Sequence, residues 1–396
     1  MRMPTVLTVV AGLVAGLVGF ALMPRAPRLG AQTTGDADLA GTVRAAVPDP
    51  QGHRGLAVAL VEDGRVRVAG LGDRNPAGGP VEPGTAFEIG SVTKVMTGML
   101  LADQAAAGVV RPDDPLGVTW PEMTGPARDV TLAELSSHRA GLPRLAFSTP
   151  LHWVRVLWAN ISGGNPYAGQ DVAGIRAAGN DVEPGDGRGT VDYSNLGPSL
   201  LGHALAAKAG VAYPELLQRR LLAPLGMTAT VIATDDGDLP AGRARGAKAG
   251  GGSLDPWVSS GYAPAGVGPW STAEDLARLV GATLAGTAPG ADAATARFDD
   301  EGHRRVGYGW FTTRYADREI VWHNGATSGF RSYVGFERAT GRGWWCSATP
   351  TRPSSRSGCG CSAYRRRRPG RGCRRFRCGS AAGSRWPSPS SAGWRC

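Results

Sequence analysis

Hydrophobic positions fall into three regimes along this 396-residue chain. Met3 to Pro24 carry no formal charge between Arg2 and Arg25, a stretch long enough to span a bilayer. After a polar linker (residues 32–38) and an expected helix, Leu56–Glu62 and Arg65–Ala69 read as strands joined by Asp63-Gly64, a two-residue turn of the kind favoured in hairpins. From Val92 the period lengthens: Val92, Val95, Met96, Met99 and Leu100 recur at i, i+3, i+4, i+7 and i+8, one apolar helix face. A helical, loop-rich region follows from about residue 100 to 265, in which Ala241–Gly252, rich in Gly, Ala and Arg, is expected to be a flexible surface loop. Strand patterns return at Val306–Thr312, Glu319–His323 and Phe330–Glu337. Two early strands and three late ones predict an α/β (α+β) fold: a mainly antiparallel sheet built from both chain ends, flanked by helices, with a helical lobe inserted between them. The sheet lobe takes about residues 40–90 and 270–343 and the helical lobe about 100–265, a length that suits one such two-lobed unit.

Charge and cysteine change the picture only at the end. The chain is +10, but the last 53 residues hold twelve arginines, all six cysteines and no Asp, Glu or Lys. Without them residues 1–343 are slightly acidic, so the basic balance says nothing about the folded unit and gives no reason to expect a nucleic-acid partner. Cys346 is the first cysteine, which excludes a lipoprotein anchor near the N-terminus, and no spaced His pair indicates a metal or other cofactor.

Three short motifs carry chemistry. Ser91-Val92-Thr93-Lys94 puts a hydroxyl and an amine one turn apart on a helix stripe that also contains Gly98. A serine hydroxyl is a weak nucleophile unless a neighbouring base takes its proton, and a lysine serves only when desolvation lowers its pKa. The bland reading of Ser91 is a helix N-cap. Tyr193-Ser194-Asn195 follows a short segment, Thr190-Val191-Asp192, and His323-Asn324-Gly325 closes an expected strand. No Gly-x-Ser-x-Gly elbow occurs, so the α/β-hydrolase route has no support.

Ser-x-x-Lys, Tyr-x-Asn and His-x-Gly in this order resemble the serine β-lactamase/penicillin-binding-protein superfamily, in the branch with class C β-lactamases, D,D-peptidases and related esterases. Thr131–Pro143, Leu222–Met227 and Ser271–Ala277 are also similar to recurrent family segments. The resemblance implies a β-lactamase/transpeptidase-like fold and an acyl-enzyme mechanism without a cofactor. Ser91 is then the nucleophile, Lys94 and Tyr193 move protons, and Asn195 holds the substrate amide. The backbone N–H groups of Ser91 and Ala326 form the oxyanion hole, beside Gly325. His323 stands where many members carry Lys, so a protonated imidazole titrating near neutral pH is expected there. Implied substrates are a D-Ala-D-Ala peptide, a β-lactam or a short ester, and a monomer is expected. Residues 1–31 are expected to be a signal peptide, with Leu29-Gly30-Ala31 a weak cleavage site, or an uncleaved anchor. Either places the catalytic unit outside the cytoplasmic membrane.

The resemblance stops at residue 343. The remainder, 344–396, reads as a disulfide framework, a basic arm or a frameshifted translation; the last is favoured. Gly343-Trp344-Trp345-Cys346 must derive from GGN TGG TGG TGY, and reading one base earlier gives an apolar run of Val, Leu or Met, as the family's next strand requires. An Arg-, Gly- and Ser-rich tail cannot bury enough apolar area to offset ordering entropy, so it is expected to be disordered and the scaffold compromised. A receptor or pseudoenzyme that acylates without turnover, and a non-functional frameshifted product, are the alternative readings.

Overall fold

In the computed structural model, described residues are 26–350 except 48, 147–149, 249 and 328, together with 12, 16, 18, 19, 361–362 and 377–378. A nine-stranded sheet organises the chain. Its strands are β1 (Thr33–Gly35), β2 (His53–Glu62), β3 (Arg65–Gly72), β7 (Phe298–Asp299), β8 (Arg304–Val306), β9 (Phe311–Tyr315), β10 (Arg318–Ala326), β11 (Arg331–Glu337) and β12 (Arg342–Pro350). They lie in the order β1-β3-β2-β12-β11-β10-β9-β8-β7, and every neighbouring pair is antiparallel. A small second sheet joins β4 (Phe87–Glu88), β5 (Val231–Ile232) and β6 (Pro269–Ser271) in the order β4-β6-β5.

The helices are α1 (Ala37–Ala46), α2 (Thr93–Ala106), α3 (Leu116–Thr119), α4 (Leu132–Ser136), α5 (Pro150–Ser162), α6 (Val172–Asp181), α7 (Leu196–Ala209), α8 (Tyr213–Leu217) and α9 (Ala273–Ala285). The inserted lobe comprises α3 to α8, and α2 runs between it and the sheet. This is the mainly antiparallel sheet with an inserted helical lobe that the sequence pattern predicts. Helix α2 is buried on nearly all sides, polar Thr93, Lys94 and Thr97 included. Its Gly98 explains the tight fit, because a Cβ there would stand 2.1 Å from the carbonyl oxygen of Tyr308. On one face of the sheet α9 packs Leu276, Leu279 and Val280 against β2 and β12. On the other, Leu39, Ala40 and Val43 of α1 cover Leu56, Val58, Leu60, Leu71 and Trp344.

The β2–β3 hairpin turns through Asp63 and Gly64, both with positive φ (53° and 73°), the geometry that follows the twist of paired strands. Four expectations need correction. The linker 32–38 contains β1, paired with β3, and Asp36 caps α1 by accepting from Leu39 N–H at 2.8 Å. The strand expected at Val306–Thr312 is two strands. Between them Gly307 donates to the Trp310 carbonyl at 2.8 Å, and Gly309 (φ 73°) lies so close to α2 that a Cβ would sit 2.2 Å from the Lys94 carbonyl oxygen. The inner half of Ala241–Gly252 is not a free surface loop: Ala244 and Ala247 are buried, and Ala244 N–H donates to the Ala86 carbonyl at 2.9 Å.

The fourth concerns the end of the sheet. Residues 344–350 are not a tail, because β12 pairs with β2 on one side and β11 on the other and buries Trp344, Trp345, Cys346 and Ala348. Large side chains fit because glycine lies opposite: Gly335 pairs with Trp344, and a Cβ on Gly335 would stand 3.3 Å from the Trp344 Nε1. Trp345 packs edge-on against Phe87 with ring centroids 6.4 Å apart. Among the described residues no helix is long and apolar enough to cross a membrane. The expected leader or anchor (1–31) lies outside the described residues up to Arg25 except for 12, 16, 18 and 19, and the tail beyond Pro350 lies outside them except for the pairing of Cys361–Ser362 with Arg377–Cys378.

Candidate active site

Ser91 lies in a single 3₁₀ turn, Gly90–Val92, that feeds α2. It does not cap the helix: the N-cap position is Val92, without a side-chain cap bond. Instead Lys94 Nζ lies 2.8 Å from Ser91 Oγ and donates to the Ala265 carbonyl at 2.6 Å. Burial holds the Lys94 ammonium pKa well below its usual value, and the charge of Arg144 pushes it the same way. Both effects favour the uncharged amine that the Ser91 hydroxyl would need as a base.

Glycines let three backbones close around that hydroxyl. Gly90 has φ 51°, and a Cβ there would stand 2.9 Å from the Ala326 nitrogen. A Cβ on Gly325 would meet the Ile89 carbonyl oxygen at 2.1 Å, and one on Gly266 (φ 108°) would meet Gly90 and Ser91 backbone atoms. Ser332 Oγ ties β11 to the same turn by donating to the Ile89 carbonyl at 2.6 Å. The end of β10 thus lies directly on the Gly90–Val92 turn, which brings Gly325 and Ala326 to Ser91.

Tyr193 arrives from the helical lobe. Its ring centroid is 5.0 Å from Lys94 Nζ, 5.3 Å from Arg144 Cζ and 6.3 Å from the His323 ring centroid. Asn195 precedes α7, takes its place by donating its backbone N–H to the Arg144 carbonyl at 2.9 Å, and keeps its buried Oδ1 without a protein partner. Ser91, Lys94, Tyr193 and His323 therefore converge from the nucleophile helix, the helical lobe and β10.

His323 differs from expectation. It is fully buried, and its Nδ1 lies 2.6 Å from the Asn324 carbonyl oxygen, so that nitrogen carries the proton and Nε2, which has no partner, is an acceptor. Burial lowers its pKa to about 3. The imidazole is neutral near pH 7 and offers a substrate no positive charge; the exposed guanidinium of Arg144 does. Among the described residues no group of three or more His, Cys, Asp or Glu side chains forms a metal site. A cavity of about 410 Å³ lined by Thr283, Ala294, Thr312 and Val321 lies elsewhere, and none of the candidate residues lines it.

The Beta-lactamase family model matches residues 42–352, well over half of the chain. The chain belongs to the beta-lactamase family. It is 31% identical over 188 residues to a D-alanyl-D-alanine-carboxypeptidase/endopeptidase, AmpH, of Escherichia coli strain K12, covering 45% of each chain. It is 26% identical over 186 residues to a beta-lactamase of Yersinia enterocolitica, covering 46% of this chain and 44% of that one. Against a beta-lactamase of Pseudomonas fluorescens it is 26% identical over 185 residues, or 46% and 47%. The matched stretch is thus just under half the length of these curated relatives. The family match reaches nine residues past 343, in keeping with β12 as an integral strand of this beta-lactamase-family sheet.

Two neighbours of the site escaped the sequence reading. His138 is buried, adopts φ 60°, and stacks on Tyr193 with ring centroids 4.4 Å apart. Arg144 stands over the other part of the same ring. Both lie in or beside Thr131–Pro143, which the sequence offered only as a segment similar to the family's. The available signal was a histidine placed just after a capping-box helix start, Thr131 and Glu134, in a turn that no helical or strand periodicity explains.

Proposed function

We propose that this chain is an exported serine hydrolase acting through an acyl-enzyme on a D-Ala-D-Ala peptide, a β-lactam or a short ester. The observation that carries the reading is Lys94 Nζ, buried with its pKa held well below the usual value and 2.8 Å from Ser91 Oγ. In this reading Ser91 Oγ attacks the substrate carbonyl and its proton passes to Lys94 Nζ. The tetrahedral oxyanion is met by the N–H groups of Ser91 and Ala326; donors preplaced on a developing charge contribute strongly to acyl transfer. Collapse expels the amine or alkoxide, which receives a proton relayed by Lys94 and Tyr193. Water then releases the acyl group. Asn195 holds the substrate amide through its open Oδ1, Gly325 lets the β10 edge approach the nucleophile turn, and Arg144 meets a substrate carboxylate in place of the neutral His323. The names of the relatives, a D-alanyl-D-alanine carboxypeptidase/endopeptidase and beta-lactamases, support the substrate class. The catalytic unit in this reading extends from about residue 40 to 350, and sequencing the gene around codon 343 tests whether the basic tail is a change of frame.

Intact-protein mass spectrometry after incubation with a labelled penicillin tests the reading. A transient adduct on the native chain, absent from Ser91→Ala, is expected. An adduct that never clears makes the protein a receptor that acylates without turnover. No adduct, with none from an activated ester, overturns the assignment.

A further inference from the structure

Helix α5, Pro150–Ser162, carries an exposed apolar face. Leu151, Trp153, Val154, Leu157, Trp158 and Ile161 are between 53% and 68% exposed, whereas Ala159 is buried and His152 and Val156 are half-buried. The exposed side is therefore the apolar side. Elsewhere between residues 26 and 350, the described large apolar residues that are exposed (Val66, Val109, Val118, Val172, Tyr315) fall singly along the sequence. Scattered apolar residues need no explanation, but a contiguous patch marks a docking surface. The helix contains Arg155 and no Asp or Glu, and two tryptophans within one turn and a half suit the boundary between water and acyl chains.

The chain's own N-terminus selects the occupant. Only Arg25 and Ala26 separate the uncharged segment Met3–Pro24 from residues stitched into the domain. Gly52 N–H donates to the Pro27 carbonyl at 2.9 Å, Leu29 N–H donates to the Pro50 carbonyl at 2.9 Å, and the Leu29 side chain is buried. Cleavage after Ala31 would strip these contacts from the sheet, so the expected signal peptide reads better as a retained anchor. Three residues of extended chain span at most about 10 Å, which holds the domain against the membrane with almost no slack. From that exit a hydrogen-bonded path leads to α5. Asp73 N–H donates to the Arg54 carbonyl, Arg245 N–H donates to the Arg74 carbonyl at 2.7 Å, and Lys248 Nζ donates to the carbonyls of Ile161 and Ser162 at the C-terminal end of α5.

We propose that α5 lies in the surface of a lipid bilayer, its Leu151–Trp158–Ile161 face among the acyl chains and Arg155 toward anionic headgroups, while the segment Met3–Pro24 acts as the anchor. This surface is independent of the acyl-transfer reading. The test uses the full chain in phosphatidylethanolamine/phosphatidylglycerol vesicles with and without brominated acyl chains. Met3–Pro24 contains no tryptophan, and Trp386 and Trp394 of the basic tail are replaced by Phe in every chain compared, so quenching reports residues 26–350 rather than the anchor or the tail. Tryptophan emission is expected to fall in brominated vesicles, and a chain carrying both Trp153→Phe and Trp158→Phe, which keeps the apolar face, is expected to lose that fall. Emission unaffected by bromine, or quenching that persists in the double variant, overturns the proposal. So does protection of residues 150–162 from hydrogen exchange that depends on protein concentration and not on lipid, because the face is then covered by a second copy.

Discussion

His138 grips Tyr193 from both sides of its backbone. The His138 carbonyl accepts the N–H of Asp192 at 2.8 Å, and its Nδ1 accepts the N–H of Ser194 at 3.3 Å. The imidazole, whose pKa burial holds well below its usual value, also packs against the tyrosine ring with centroids 4.4 Å apart. A side chain that fixes Tyr193 in this way would act in the proposed mechanism by positioning it.

Replacing His138 by alanine is expected to lower kcat by about 10- to 100-fold, the scale of loss when a reacting group moves by an ångström, with a smaller change in KM. His138→Asn should recover part of it, since asparagine tolerates positive φ and offers an acceptor to Ser194. Steady-state kinetics with a chromogenic acyl donor separate these outcomes from a plain stability defect, which would leave kcat intact.

Burial lowers the Lys94 pKa in the folded state, while the unfolded chain keeps the usual value. Below the usual lysine pKa of 10.5 the unfolded state therefore binds the extra proton, and stability rises with pH through the alkaline range. Lys94→Met is predicted to abolish acylation yet gain roughly 0.5–2 kcal/mol at neutral pH, as relief of a strained functional site often does, and to lose that alkaline rise. Denaturant melts from pH 7 to 10 read both effects.

Glu88, three residues before Ser91, is fully buried and its pKa is raised from 4.5 to about 7 by that burial, despite the Trp257 N–H it accepts at 3.1 Å. The folded state holds the proton more tightly than the unfolded, so this group costs stability increasingly as pH rises from 4.5 to 7. Glu88→Gln should match the native chain at pH 4 and exceed it at pH 8 by up to roughly 3 kcal/mol, at 1.36 kcal/mol for each pH unit. Equal melts at pH 8 would refute the assignment.

Arg144 is the exposed cation beside Tyr193. Its replacement by alanine is expected to raise KM about 10-fold for an acyl donor bearing a carboxylate, in line with a charge-assisted contact of 1.5–3 kcal/mol, and to leave a neutral ester nearly unaffected. A uniform effect on both substrates would assign Arg144 to the fold instead.

Trp345 tests the last strand. If β12 is a working part of the sheet, Trp345→Ala costs about 3–5 kcal/mol, the usual range for emptying a buried aromatic site, and thermal unfolding shifts accordingly. A melt like that of the native chain would return residues 344–350 to the tail.

Much of the site was legible because its chemistry is local. Ser91 and Lys94 need only one helical turn, Asp63-Gly64 only its own backbone, and β10 and β11 only their alternation. The split of Val306–Thr312 was invisible because Gly307 and Gly309 turn the chain to fit α2, a partner some 200 residues away in sequence. His323 looked titratable because its motif shows the residue type but not the burial that drives its pKa to about 3. The order and spacing of residues thus determined the fold class, the Ser91–Lys94 pair, and the strand that brings Gly325 and Ala326 to it. Tertiary structure alone decided that burial lowers the pKa values of Lys94 and His323, that His138 and Arg144 flank Tyr193, and that two tryptophans join the sheet. Those properties depend on desolvation and on contacts between distant segments, and neither exists until the chain has closed around them.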